Sequence, residues 1–407
     1  MIADMPDRFY LMWRFVFCAA LVGCLWMMAG LDPSVQAKEP KKLVMQSNNP
    51  FSGKAASWGF SQDRGVTMAA EKINKAGGIK IGDETYLWEV RQCDNRYVPA
   101  DAVSCLKRGL AEGCKYLATL GGAVTQPQLP LINENKIITL GAIAGGADFT
   151  NPSNPYLFRT MPSSDVTLAV YGMKIYPKLG VKRLALLTAD NVLGRSDGDT
   201  LRNALKLNNK SDLLVAEEYT PIDTSDFTPV LTRVLAKNPD HIEGGAWPAA
   251  GLGLLVKQAR ELGFKGTISN LSGAPEIEPL VKIGGVENCE GLVLLRVWPP
   301  DQLPTKEFKE YWDNYVARFK ESPGANSWEG YMAMEFLSAA VAKAHSLETE
   351  KIVETMRDLK INSLLGELKL VGKDDPLLPG YGNNNQFSYL LPVTRLQKGN
   401  PVIFSLE

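Results

Sequence analysis

Histidine is scarce: the 407 residues hold only His241 and His345. With so few, and with no Cys-x-x-Cys spacing, a zinc site of imidazole and thiolate ligands is disfavoured. His241 begins an expected strand and His345 lies on an expected helix, so neither stands where a base would activate a nucleophile. The glycine fingerprints of nucleotide sites, G-x-G-x-x-G and G-x-x-x-x-G-K-[ST], are also missing. Neither sign of charge dominates, with 44 Lys and Arg against 45 Asp and Glu, so nothing points to nucleic acid. Low-complexity linkers and coiled-coil heptads are absent. Together these gaps leave little room for an enzyme, and no cofactor or metal is called for.

Long hydrophobic runs are missing too. An uncharged apolar run, Phe15 to Gly30, is sixteen residues, short of the ~20 that a membrane span requires. It follows Arg14 and precedes the small-x-small pair Val35 and Ala37, so residues 1–37 are expected to be a secretory signal cut before Lys38. The stretch Leu21 to Cys24, LVGC, also fits a lipoprotein site, which would place a lipid anchor on Cys24. Removing the signal leaves Cys93, Cys105, Cys114 and Cys289. Four cysteines in an exported chain leave room for a disulfide without defining a framework. Cys105 and Cys114 are closest in sequence, but a continuous helix would hold them too far apart to bridge. Most cysteines are expected to act as small buried hydrophobes.

What is present is a regular alternation. KLVMQ, YLWEVRQC, KYLATLG and KIITLGA are short apolar runs, each ending in Gly or polar residues. Between them lie helical stretches. In the first, Val66, Ala69, Ala70 and Ile73 recur at i, i+3, i+4, i+7 until Gly77-Gly78 stops it. The series restarts at RLALLTAD and continues through DLLVAEEY, HIEGGAW and GTISNL. CEGLVLLRVWPP follows, then an aromatic-rich helical region from about Thr305 to Leu359 and a strand-rich tail with a KGN turn. The expected fold is α/β: two similar doubly wound lobes with parallel central sheets, joined by a hinge. We assign residues 38–159 and 293–361 to the first lobe, and 160–292 and 362–407 to the second. Ligands of such sheets sit at the carboxyl ends of the strands, at the switch in strand order.

The strand-end loops offer backbone amides and aromatics. Gly121 and Gly122 allow close approach at a helix start, which suits a carboxylate. Trp58 and Trp247 would supply apolar walls. These loops carry a resemblance. NPFSGKAASWGFSQDRGVTMAAEKINKAGGI, LATLGGAVTQPQLPLINENKIITLGA, NPYLFRT and GGAWPAAGLGLLVKQARELGF are similar to segments of the periplasmic substrate-binding proteins of branched-chain amino acid ABC transporters. The similarity runs in order through residues 41–375. It implies a type I periplasmic-binding fold, location in the periplasm, and a monomer that delivers a small-molecule ligand to ABC permease subunits. A ligand-sensing receptor feeding a separate membrane partner is the other function the same fold serves.

The resemblance also maps the ligand site. Members that bind amino acids use a Ser after the third strand and a Thr after the fourth. Those positions fall here at Gly122 and at Ala142 to Ala144. The family Tyr is Leu193, and the acidic residue that neutralises the ammonium falls at Asn270 to Ser272. Trp58 matches the family aromatic. A buried ammonium without a partner is very costly, so an aromatic or aliphatic carboxylate competes with an amino acid as ligand. Arg195, beside Leu193, could pair with such an anion; Asn48, Arg96 and Gln126 are further candidates.

Overall fold

A computed structural model shows the fold and describes residues 39–143, 145–273, 275–371 and 385–406. The expected signal with Cys24, and Ala144, lie outside the described residues. The first sheet contains β1 (Lys41–Asn49), β2 (Ile79–Ile81), β3 (Glu84–Asp94), β4 (Tyr116–Leu120), β5 (Ile138–Ala142) and β6 (Leu157–Arg159). Their order is β2-β3-β1-β4-β5-β6, and all pair parallel except the short edge strand β2. Every residue of β4 and β5 is buried, as expected of parallel strands covered on both faces. The order turns back at β1 and β4, so the loops after these two strands open the switch-point crevice.

Helix α1 (Ala56–Lys75) links β1 to the sheet edge, and α2 (Pro99–Ala111) starts on a proline at its first position. The helical stretch between β4 and β5 is broken into α3 (Gly122–Thr125), a 3₁₀ turn and α4 (Leu129–Glu134). Prolines 127 and 130 remove backbone donors there.

The second sheet repeats the plan with β7 (Leu184–Ala189), β8 (Leu214–Thr220), β9 (His241–Glu243), β10 (Thr267–Asn270) and β11 (Val293–Leu295). Helix α5 (Met173–Lys178) leads into β7, and α6 (Val192–Leu207), α7 (Thr228–Leu235), α8 (Ala249–Glu261) and α9 (Ile277–Gly284) connect the strands. Two helices, α10 (Lys306–Phe319) and α11 (Ala325–Ala344), then return to the first lobe, followed by α12 (Thr349–Arg357). Thr305 caps α10, its hydroxyl accepting from the Phe308 amide at 3.0 Å. Strands β12 (Ile361–Ser363), β13 (Gly366–Leu370) and β14 (Phe387–Ser388) form a small separate sheet. The hairpin β15 (Pro392–Gln397) and β16 (Asn400–Leu406) closes the edge of the second sheet, its turn made by Lys398 and Gly399 at φ 50° and 80°.

Two lobe boundaries differ from the expectation. Strand β11 pairs with β10 and β15, so the second crossing between lobes follows Leu295 rather than preceding Val293. The described part of 362–388 sits with the first lobe, where the Arg159 amide donates to the Asn385 carbonyl at 2.8 Å. Chain order could not show this, because apolar strands at a lobe border fit either sheet.

The first lobe is sealed by α1 against α11. Almost every face of α11 is buried, the mark of a core helix. The two backbones come so close that a Cβ on Gly65 would lie 1.8 Å from the Ser327 carbonyl oxygen. Gly65→Ala is therefore expected to lower stability by about 1–3 kcal/mol from overpacking, despite a helix-propensity gain of about 1 kcal/mol. Urea unfolding checks this; an unchanged or raised midpoint would contradict the packing described.

The cysteine expectation is half corrected. Cys93 and Cys105 form a disulfide with Cα atoms 5.9 Å apart, because the chain folds back from the end of β3 onto α2. Cys114 and Cys289 are free and buried, as expected.

Candidate functional site

The crevice between the lobes is lined by Trp58, Tyr97, Leu120, Gly121, Gly122, Ala142, Met161, Leu193, Ser272, Gly273, Arg296 and Asn326. Six of the twelve come from loops or helix starts just past β1, β4, β7 and β10. The lobes touch here: Trp58, Leu120, Ala142 and Met161 share one apolar cluster with Leu193 of the second lobe. About 30 Å³ of open space remains, enough for little more than water. A larger guest enters only as the lobes part.

Trp58 sits in the first turn of α1 and is buried, with its indole Nε1 lacking a hydrogen-bond partner. Its ring meets Tyr97 edge-on, centroids 6.1 Å apart. Burial pushes the Tyr97 hydroxyl up to about 12, so it stays protonated at neutral pH. Gly121 adopts φ 90°, and a Cβ there would lie 2.5 Å from the Tyr97 ring. A glycine is needed for this wall to close.

On the opposite lobe, Leu193 is held by the capped start of α6, where the Asn191 side chain accepts from the Gly194 amide at 3.0 Å. Ser272 donates to Asp197 Oδ2 at 2.6 Å, while Ser164 donates to Asp197 Oδ1 at 2.7 Å. Asp197 therefore lies one layer behind the wall. Burial pushes its carboxyl up to about 7.

Arg296 closes the floor. It is fully buried and lies just past β11 at φ 66°, a strained backbone for a side-chain-bearing residue. Its Nη1 donates to both Glu329 oxygens at 2.9 and 3.1 Å, and Nη2 donates to the Gly273 carbonyl at 2.9 Å. Its Nε has no partner. The wall thus carries two buried donors in need of acceptors, on Trp58 and Arg296. The carboxylate beside the cavity, Glu329, is already spent on Arg296.

Six of the ten residues expected from sequence line this cavity: Trp58, Gly121, Gly122, Ala142, Leu193 and Ser272. Three do not. Trp247 is fully buried inside the second lobe, its Nε1 donating to the Leu187 carbonyl at 3.2 Å and its ring packed on Phe227 at 5.1 Å. Asn270 turns inward and donates to the Gly244 carbonyl at 2.7 Å. Arg195 stays on the surface, donating to Asp190 at 2.8 Å and stacked 3.9 Å above Tyr219. Ala144 lies outside the described residues. Among the further candidates, Asn48 braces the loops from within, donating to the Ala102 carbonyl and to Gln128 at 2.8 and 2.9 Å. Arg96 pairs with Asp101 on the surface, and Gln126 is exposed.

Sequence reading missed Tyr97, Leu120, Met161, Gly273, Arg296 and Asn326. A signal existed for Arg296: a lone cation ending the apolar run GLVLLR before VWPP. Tyr97 gave none, since its place depends on a folded loop. The sequence also holds a Gly-x-Ser-x-Gly match, Gly194 to Gly198. Ser196 lies within α6, and His241 is buried elsewhere, 2.5 Å from Thr267 and 2.7 Å from Ser269. No nucleophile–base pair arises from it.

The model of the periplasmic binding protein family matches residues 48–378. The chain belongs to that family. Such proteins bind small molecules for ABC transporters and are not enzymes. This periplasmic binding protein is 24% identical over 354 residues to the Leu/Ile/Val-binding protein homolog 1 of Brucella suis, across 84% of this chain and 91% of that one. It is 26% identical over 343 residues to an amino acid binding protein of Pseudomonas aeruginosa, across 83% and 88% of the two chains. Among solved structures, a leucine binding protein from Thermotoga maritima superposes with a TM-score of 0.75 at 21% identity, covering 90% of this chain and 98% of that one. A solute binding protein from R. palustris, in complex with benzoate, gives 0.75 at 18% identity, covering 90% and 96%. Both structures share the fold. Among the described residues, no helix is long and apolar enough to cross a membrane.

The buried Asp197 yields a pH prediction. Its carboxyl, ordinarily near 3.8, titrates in the folded protein at about 7. The folded state therefore binds the extra proton between those values, and this contribution to stability fades as pH rises through about 7. Asp197→Asn removes that dependence. Between pH 5 and pH 8 the variant should gain on the order of 2 kcal/mol relative to the parent. Denaturant midpoints at both pH values check this, and a constant difference would contradict it.

Proposed function

We propose that this protein captures a small organic carboxylate without an α-ammonium, aromatic or aliphatic, and delivers it to an ABC permease. The observation that carries this reading is the donor excess at the cavity: Trp58 Nε1 and Arg296 Nε are both buried without partners. A carboxylate supplies acceptors for such groups. An amino acid would bring an ammonium as well, and among the described residues the cavity lining includes no Asp or Glu. A buried charge without a partner is strongly unfavourable. Ser272 stands where the resemblance places an acid, and its hydroxyl is directed to Asp197.

The chemistry named for the benzoate-bound structural neighbour favours this class, whereas the names of the sequence relatives favour amino acids. We give the donor set more weight, because it belongs to this chain. Capture follows from differential stability: a ligand touching both lobes favours the state in which they are closed, and that state is what a permease would recognise. We further propose that the chain acts as a monomer after export, with the signal at 1–37 removed or Cys24 lipidated. The Cys93–Cys105 disulfide supports an oxidising compartment.

A thermal-shift series with benzoate, 4-hydroxybenzoate, valine and leucine tests the ligand class. A carboxylate at 100 times its Kd should stabilise the protein by about 2.7 kcal/mol, with leucine and valine giving far less. Strong shifts with leucine alone would refute the proposal. Trp58→Ala should weaken carboxylate binding at least roughly tenfold, as truncating a buried aromatic contact does, and calorimetric titration reads this directly.

A further inference from the structure

The Cys93–Cys105 disulfide stands next to the least regular part of the cavity wall. Between its two cysteines lies the loop that carries Tyr97. Arg96 and Tyr97 both adopt left-handed backbone, at φ 52° and 60°, and two such residues in succession are held only where surroundings over-determine them. Three sets of contacts do so. Asp94 accepts from the amides of Phe51 and Arg96 at 2.8 and 2.9 Å. Asn95 donates to the Asn48 carbonyl at 2.9 Å and accepts from the Tyr97 amide at 2.9 Å. The disulfide then joins the end of β3 to the second turn of α2, closing the segment over a separation of 12 residues.

What all of this holds is one ring. Tyr97 lines the cavity, meets Trp58 edge-on and covers Gly121. We infer that Tyr97 contacts the bound ligand and sets its specificity toward flat rings, and that the disulfide is the positioning device that keeps the ring in the wall. This rests on the interlobe cavity being the ligand site. The physical reason is preorganisation. A loop fixed in its bound conformation need not be ordered when ligand binds, and affinity gains what would otherwise be lost to ordering. Opening the disulfide releases the loop on both sides of Tyr97 while Asn95 still anchors its middle. The expected result is a looser wall in a folded protein.

The test uses the full chain in oxidised form, with benzoate and leucine as probes and calorimetric affinity as the readout. Tyr97→Ala should weaken the tighter probe roughly tenfold, and Cys93→Ala with Cys105→Ala should weaken it comparably. Combining all three substitutions should add little to either alone, since the disulfide acts through Tyr97. Additive losses, or full affinity without the disulfide, would overturn the inference. Tyr97→Phe should retain most of the affinity for benzoate. If the cysteine variant folds poorly, mild reduction of the parent protein replaces it. Hydrogen exchange needs no ligand: residues 94–98 should exchange faster on reduction while β4 and β5 do not, and unchanged protection there would also overturn the inference. Binding of neither probe by the oxidised parent would instead break the reading of the cavity, leaving hydrogen exchange to decide whether the disulfide positions the loop.

Discussion

The structure turns on one buried ion pair. Arg296 and Glu329 are both fully inaccessible, and they meet at 2.9 Å where the chain passes between lobes. Tyr389 Oη lies 2.7 Å from Glu329 Oε1 and 2.7 Å from the Thr160 carbonyl. Thr160, Arg296 and Tyr389 each mark one of the three crossings, after β6, β11 and β14. Gln386 strengthens the join, its Nε2 donating to the Met161 carbonyl at 2.9 Å. Removing one partner from such a pair typically costs about 3–5 kcal/mol, because the other charge is left buried and alone. The hinge and the cavity floor are therefore one object, and neither can be altered without the other.

That sharing explains the charge logic of the site. Arg296 spends its terminal nitrogens on Glu329 and Gly273, and only its Nε is left over. The pair is close to neutral as a unit, so the cavity does not depend on a free cation to attract a ligand. It offers apolar walls and a few directed donors, the usual composition of a small-molecule pocket. The neighbouring acids are only partly charged at neutral pH. Asp197 and Glu243 are both pushed up to about 7 by burial, and His241 is pulled down to about 3 by the same cause. The second lobe thus holds His241 neutral and Asp197 and Glu243 partly protonated at neutral pH, which lowers the desolvation penalty of burying them behind the wall.

Much of the architecture was legible because it rests on periodicity. Strand runs of four to eight apolar residues and the Val66, Ala69, Ala70 stripe announce parallel sheets and covering helices. The switch-point rule then placed Trp58 and Gly121 at the crevice, and the family resemblance placed Leu193 there. The rule failed at Trp247, where a loop residue folds back to fill the core beside Phe227. It failed at Arg195, where a strand-end cation found Asp190 and Tyr219 on the surface instead. Tyr97 was not legible, because its place depends on left-handed backbone and a folded loop, and the lone cation of GLVLLR marked Arg296 without showing its contacts to segments far apart in sequence. The disulfide escaped for a related reason: distance along the chain said little about the approach of β3 to α2.

The central claim is that the donors on Trp58 and Arg296 receive a ligand's carboxylate. The most direct measurement is the indole N–H resonance of Trp58 in nitrogen-15-labelled protein, assigned with Trp58→Phe, during titration with benzoate and with leucine. A new hydrogen bond should move that resonance and slow its exchange with water on adding benzoate, while leucine leaves it in place. A resonance that responds to leucine and ignores benzoate would contradict the account.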